Sequence, residues 1–356
     1  MSPSKHRVRF LVISDTHELD LAQLCGPTVD GKLNQFGLKP VPAVDVVLHC
    51  GNLTDSGGFE NHERALEGIA KLPAELKLVI PGNHDLVLDK LYLKERYPEL
   101  LPEHERVRDL WTKSEIALSA NVKYLEEGTY CFKLSSGAAF TVHASPYTPA
   151  YDDSAFQYVA AIDRWNGTLD TPQYAVNAST EKTIIPAPID ILMTHGPPLY
   201  ILDDCGPVRN GSAGCRYLRS AVIRSKPRIH CFGHAHLGWG ARRIRWRSAL
   251  DDRDRDLEVL PKESAFPSSC KKKGYADLPS NVAEQLDYGE QTLFVNAAVG
   301  NRGGNMENTP WIVELMLDVK ENGDQSEVKE DPLYMKTEPL VRKPRANSAY
   351  QISPLR

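Results

Sequence analysis

What this sequence lacks narrows its class before any motif is read. Across 356 residues no apolar run approaches the roughly 20 residues of a membrane span. There is no basic surplus: the formal net charge is −5, so the cationic face with which strong nucleic-acid binders meet phosphates is missing. Neither a membrane nor a nucleic-acid partner is therefore expected, and the sequence names no protein partner. Cysteine occurs seven times, at Cys25, Cys50, Cys131, Cys205, Cys215, Cys231 and Cys270, and never as CxxC. An odd, scattered set of thiols is read most simply as small buried hydrophobes in a reducing compartment. The N-terminal MSPSKHRVRFLVI carries basic residues but no apolar signal core ahead of the first strand-like run. A cytoplasmic location is expected, and no internal repeat is present.

The composition that is there, 41% hydrophobic and 25% charged, is that of a globular chain with room for one large α/β domain. Short β-branched runs at 8–14, 44–50, 76–81, 139–144, 189–194, 228–232, 292–297 and 311–317 read as buried strands. Between them, FENHERALEGIAKL (59–72) sets Ala65, Leu66, Ile69, Ala70 and Leu72 on one helical stripe, and 216–224 is a second helix. The alternation argues for βαβ units early and a sandwich-like or mixed sheet later. Segments 86–121 (helical and charged), 147–188 (rich in Asp, Pro, Asn and Thr) and 242–285 (charge blocks RRIRWRS, DDRDRD, CKKKGY) are expected as insertions. A single domain over 7–318 is expected, followed by a polar tail over 319–356.

Chemistry-bearing residues follow the ends of five of these strands. Asp15-Thr16-His17 follows the first, Gly51-Asn52-Leu53-Thr54-Asp55 the second and Gly82-Asn83-His84-Asp85 the third. His195-Gly196-Pro197-Pro198 and Gly233-His234-Ala235-His236 follow two later ones. Ligands of open α/β sheets gather outside the carboxyl ends of strands, so one location is expected to receive all five. Taken singly, each piece also has a bland reading as a helix cap, a turn residue or a surface histidine.

In this order, DTH…GNLTD…GNHD…THGPP…GHAH resembles the signature of the calcineurin-like metallophosphoesterase superfamily. The arrangement HCGNLTDSG…VIPGNHD…HASPYTP…LMTHGPP…FGHAH resembles its branch of class III cyclic-nucleotide phosphodiesterases and small metallophosphoesterase-domain proteins. The resemblance covers about 7–317. It implies a four-layer α/β/β/α sandwich, here with loop and helical insertions, and a two-metal centre at the strand ends. Asp15, His17 and His236 would hold one divalent ion, Asn83, His195 and His234 the other, and residue 52 would bridge them. Imidazole and carboxylate ligands suit Mn, Fe or Zn. The implied activity is hydrolysis of a phosphomonoester or phosphodiester, a small phosphorylated substrate, by a metal-bound hydroxide. His84 would protonate the leaving oxygen, oriented by Asp85.

Asn52 departs from that pattern, which has aspartate there. An amide offers one oxygen and no charge, and its NH₂ cannot ligate. Two dications about 4 Å apart repel by on the order of 15 kcal/mol at an effective dielectric near 20, so the second metal site should be weak. Three readings stay open: an active enzyme bridged by hydroxide or substrate phosphate, a one-metal enzyme of reduced or altered activity, and a phospholigand-binding scaffold without turnover. A phosphatase acting on a biosynthetic intermediate, with the insertions shaping its pocket, is a further alternative. His49 and His143 read as strand histidines, although His143 opens HASPYTP and a substrate role is open. Arg242, Arg243, Arg245 and Arg247 read as a solvated loop. Trp239 and Tyr147 read as packing aromatics, and Asn296 is given no role.

Overall fold

The computed structural model describes residues 4–21, 24, 40–207, 211–246, 255–258, 276–278, 286–300 and 306–319. In chain order its main strands are β1 (Lys5–Ile13), β2 (Val46–Cys50), β3 (Leu76–Ile80), β4 (Val122–Tyr124), β5 (Gly128–Lys133), β6 (Ala139–Ser145) and β7 (Ile191–Thr194). There follow β8 (Ile229–Phe232), β9 (Gly240–Arg245), β10 (Arg255–Glu258), β11 (Ala276–Asp277), β12 (Gln291–Asn296) and β13 (Trp311–Asp318). All eight expected strands are among them. One sheet has the order β11-β13-β1-β2-β3-β4 and the other β10-β9-β12-β8-β7-β6-β5.

Both sheets have parallel centres. β1, β2 and β3 run parallel in the register Phe10–Val46 and Val46–Leu76. In the second sheet β6, β7, β8 and β12 do the same, with Ile191 opposite both Val142 and Ile229. Strands buried on both faces need apolar residues at every position, and period two then sends alternate residues to different layers. Val8, Phe10 and Val12 meet Leu48, Ile80, Val142, Met193 and Val295 in the core between the sheets. Leu11, Ile13, Val47 and Val79 point the other way, onto helices.

Those helices are α1 (Phe59–Ala70), α2 (Lys90–Arg96), α3 (Leu101–Lys113) and α4 (Glu115–Ser119). Leu66 and Ile69 of α1 join Val107, Leu110 and Trp111 of α3 and Ala117 of α4 in one buried cluster. Segment 86–121, expected as an insertion, thus supplies much of the outer helical layer. The far face of the second sheet is covered by α5 (Arg216–Ser225), whose Tyr217, Leu218, Ala221 and Val222 pack with Leu192, Phe232 and Phe294. Trp165 and Ile185 of segment 147–188 complete that layer. The order helix, sheet, sheet, helix is the four-layer α/β/β/α sandwich. No helix among the described residues is long and apolar enough to cross a membrane.

One expectation shifts. Arg242, Arg243 and Arg245 lie on β9, which pairs antiparallel with β12, rather than in a solvated loop. Buried Ala241 and Ile244 face the inner core and the α5 layer respectively and hold the strand down. Most of 242–285, with Arg247, lies outside the described residues, as does the tail beyond Val319.

Candidate metal centre

Parallel strands end on the same edge, and β1, β2, β3, β7 and β8 deliver their following loops to one place. The loops interlock through their backbones. Asp15, His17 and Glu18 donate their N–H groups to the carbonyls of Gly51, Asn52 and Leu53, at 2.9–3.2 Å. His195 donates to Ser145, Gly233 donates to the His195 carbonyl, and the His234 N–H donates to Asp15 Oδ2 at 2.8 Å. Four site residues adopt positive φ: Asp15 (54°), His17 (43°), Asn52 (54°) and His234 (64°). For a residue other than glycine this conformation is disfavoured, and clusters of it mark functional sites. Close approach explains two glycines. A Cβ at Gly233 would collide with the Asp15 carboxylate and the Ser14 hydroxyl, and one at Gly82 with Asn52 Oδ1 and the His195 ring.

His17 tests whether a cation fits. It is 2% exposed, and neither ring nitrogen has a hydrogen-bond partner. Its Nε2 lies 3.8 Å from Asp15 Oδ1 and its Nδ1 lies 3.4 Å from Asp55 Oδ1. A buried imidazole orphaned at both nitrogens calls for something that takes its lone pair. His236 Nε2 lies 3.4 Å from the same Asp15 oxygen, and the ligand atoms of Asp15, His17 and His236 all fall within 4.8 Å of one another. Two imidazoles and a carboxylate fit a divalent transition metal. Burial alone would raise the Asp15 carboxyl; the hydrogen bond from His236 and the neighbouring histidine charges hold it well below its usual range. Burial lowers His17 to about 4, against the attraction of Asp15. A neutral imidazole beside an ionised carboxylate is the state that ligates.

The second trio also assembles. His195 Nε2 and His234 Nδ1 lie 2.9 and 3.0 Å from Asn83 Oδ1. Asn52 sits between the two groups, its Nδ2 donating to Asp15 Oδ1 at 2.9 Å and to Asn83 Oδ1 at 3.4 Å, while its Oδ1 accepts from the His84 N–H at 3.0 Å. The His84 ring lies against His17, with centroids 5.0 Å apart, and remains partly open to solvent.

Asp85 is not where an orienting partner of His84 would be. Its carboxylate is buried and accepts from the N–H groups of Gly82, Leu53 and Thr54 and from the Thr54 hydroxyl, tying the β2 and β3 loops together. Burial pushes this carboxyl up to about 6 against those four donors. The residue that meets the His84 ring is Asp55: His84 Nδ1 donates to its backbone oxygen at 2.6 Å. That bond also removes His84 Nδ1 as a ligand, although His17, Asp55 and His84 stand close enough to form a cluster.

A family model described as calcineurin-like phosphoesterase matches residues 8–238. The chain belongs to that family. Its relatives include a metallophosphoesterase domain-containing protein 1 of Homo sapiens, 28% identical over 240 residues, 65% of this chain and 61% of that one. A UPF0046 protein, T07D4.2 of Caenorhabditis elegans, is 29% identical over 65% of this chain and 52% of its own length. A probable rhamnogalacturonate lyase C of Emericella nidulans is 34% identical over 67% of this chain, a stretch that makes up 18% of that protein. The chain thus spans less than two thirds of each of these relatives.

Within this calcineurin-like chain, three residues matter for which the sequence reading had no role. Asp55 meets both His17 and His84, and its signal was its place in GNLTD. Tyr151 reaches in from segment 147–188: its hydroxyl accepts from Asn83 Nδ2 at 2.8 Å and its ring lies 5.4 Å from that of His234. No periodicity marks it. Asn296 donates from Nδ2 to the carbonyls of Leu202 and Ala235 and so staples the GHAH loop. The bland readings of His49 and Tyr147 agree with the geometry. His49 is buried between Thr16 Oγ1 and the Gly51 N–H, and Tyr147 packs between Phe156 and the Arg164 guanidinium. Trp239 stacks on Trp311, and His143 is buried against Thr129 on β5.

Proposed function

We propose that this chain hydrolyses a small phosphate ester, with His84 as the general acid. The observation that carries the reading is the convergence of Asp15, His17 and His236 beside Asn83, His195 and His234, with the His84 ring 5.0 Å from that of His17. Divalent cations held by these two trios would supply positive charge for phosphate oxygens and a water acidic enough to act as nucleophile near neutral pH. His84 Nδ1 is committed as a donor to the Asp55 carbonyl, so Nε2 is the atom that carries the transferable proton. It gives that proton to the departing alkoxide or phenoxide oxygen, and its partial exposure lets solvent restore it. Asp85 contributes by holding the loops that carry Asn52 and His84. The odd number of scattered cysteines without a CxxC supports a reducing, cytoplasmic setting.

The test is turnover of bis-p-nitrophenyl, p-nitrophenyl and phenyl phosphates by Mn²⁺-loaded protein and by His84→Ala. A general acid matters most when the leaving group is poor. The loss in His84→Ala should reach roughly 10²–10⁴-fold in kcat for the phenyl ester and be smaller for the nitrophenyl esters. Equal activity in parent and variant on every ester would remove His84 from the mechanism, and a metal-loaded parent inert on all of them would remove the hydrolase.

Two other readings each have one supporting observation. Asn52 presents N–H groups towards Asp15 and Asn83, which favours a weakened, phospholigand-binding centre. A cavity of about 430 Å³ lined by Pro149, Tyr174, Leu199, Arg216 and Tyr217, with none of the metal-centre residues in its wall, offers room for the organic part of a larger substrate such as a biosynthetic intermediate. Comparing nucleotide, cyclic-nucleotide and isoprenoid phosphates as substrates separates these cases.

A further inference from the structure

The two trios differ in charge. Asp15 gives its group, with His17 and His236, one carboxylate. Asn83, His195 and His234 have none. Yet Asn83 and His195 of the second trio turn acceptor atoms inward. His195 Nδ1 lies 2.8 Å from the Cys50 carbonyl and must donate its proton there. Its Nε2 therefore turns a lone pair towards Asn83 Oδ1, 2.9 Å away. Asn83 is held in that orientation because its Oδ1 accepts from Asn52 Nδ2 at 3.4 Å, while its Nδ2 is bonded to the Tyr151 hydroxyl at 2.8 Å, and His234 Nδ1 approaches the same Oδ1 to 3.0 Å. Two lone-pair atoms at hydrogen-bond distance, with no proton between them, repel unless a cation sits beside both.

Asn52 determines what that cation would meet. Its amide lies between the trios, and its oxygen is taken by the His84 N–H at 3.0 Å. Turning the oxygen inward would set the NH₂ donor against that N–H donor and leave both unsatisfied, while Gly82 is packed against the same atoms. The amide thus presents N–H groups to both positions, at 2.9 Å from Asp15 Oδ1 and 3.4 Å from Asn83 Oδ1. A second dication finds three neutral ligands, a donor dipole of the wrong sign and a neighbouring dication.

We propose that the second cation position, Asn83–His195–His234, fills only together with a phosphate group, which supplies the negative charge that Asn52 withholds. A phosphate brings about −1.5 to −2 of charge near neutral pH and several oxygen ligands, enough to serve both cations. Linkage makes the effect reciprocal: the second cation tightens phosphate by the factor by which phosphate tightens the cation. The first position, carrying Asp15, fills without phosphate. The inference rests on the metal-centre reading of these residues and not on turnover.

The test is equilibrium dialysis of the full chain against Mn²⁺, with free ion counted by electron paramagnetic resonance, with and without inorganic phosphate. The parent is expected to bind one ion without phosphate and two with it, the affinity for the second rising at least tenfold. Asn52→Asp should bind two ions without phosphate. His234→Ala should bind one ion under either condition, and it keeps the test decisive if the Asn52 variant misfolds. Two ions of comparable affinity in the parent without phosphate would overturn the proposal, as would a second ion that phosphate does not recruit. An Asn52→Asp protein that still needs phosphate would overturn it too. A chain inert on every ester but showing phosphate-coupled binding would sink the hydrolase reading and leave this one standing; an active chain holding two tight ions without phosphate would do the reverse.

Discussion

Two sets of histidines among the described residues differ in what their ring nitrogens face. His62, His143 and His230 each meet one partner of the fold: the Trp111 indole N–H, the Thr129 hydroxyl and the Thr194 hydroxyl. His17, His195, His234 and His236 converge instead on Asp15 and Asn83, with rings 5.0–5.4 Å apart in the pairs His195–His234 and His17–His236. His236 is partly exposed, but the others are short of water, and burial lowers the pKa of His62, His143, His195 and His230 alike. Burial therefore does not separate a ligand from a packing residue. What separates them is whether each ring has its own partner or shares a focus with others.

The sharpest break in that comparison is Asp85, which lies inside the GNHD motif yet behaves as a group of the scaffold. Asp85→Ala would orphan the N–H donors of Gly82, Leu53 and Thr54. At about 1–3 kcal/mol for each buried unsatisfied donor, stability should fall by about 3 kcal/mol or more in urea unfolding. A near-native midpoint would show that the two loops are held by something else.

Next in size is His17→Ala, which should weaken Mn²⁺ binding by more than roughly 100-fold, the upper range for outer partners of a metal ligand, with unchanged circular dichroism. His62→Leu should do the opposite. Metal binding stays unchanged, while the Trp111 N–H loses its acceptor and stability drops by about 1–3 kcal/mol. If His62→Leu disturbed the metal, or His17→Ala did not, the division between the groups would be lost.

The smallest effect is a pH slope. In the folded chain His62 and His230 titrate near 3 and His143 near 4, against an ordinary value of 6.5. The unfolded chain takes up these protons first. The stability they contribute is complete above pH 6.5 and falls as pH drops from there towards 4, by up to about 1.4 kcal/mol per pH unit for each histidine. Thermal midpoints measured between pH 7.5 and 5 should therefore decline, and His62→Leu should show the shallower slope. A flat profile would mean that these rings are hydrated when folded.

Much of this was legible from residue order. The eight apolar runs became strands because a strand buried on both faces needs apolar residues throughout. The ligand candidates were readable because each follows a strand directly. Strands outside the parallel centre were not readable: β5, at the sheet edge, alternates buried and exposed positions weakly, and β9, next to the edge strand β10, carries three arginines and buries only Ala241 and Ile244 among its larger side chains. The exchange of Asp85 for Asp55 beside His84 was equally hidden. Both aspartates lie in motifs, and only the fold of the loops decides which one the ring meets.

By itself the sequence determined the eight buried strands, their succession along the chain, and the residue types that follow their ends, since these follow from local periodicity and from what comes directly after each run. Tertiary structure alone decided the pairings across the chain. It set the Asn52 amide between Asp15 and Asn83 with its donor side inward, because the atom that fixes it is the backbone N–H of His84, 32 residues away. It also brought Tyr151 to Asn83 across 68 residues. Hydrogen-bond direction depends on which donor arrives at which acceptor, and that is a property of packed chains rather than of neighbouring residues.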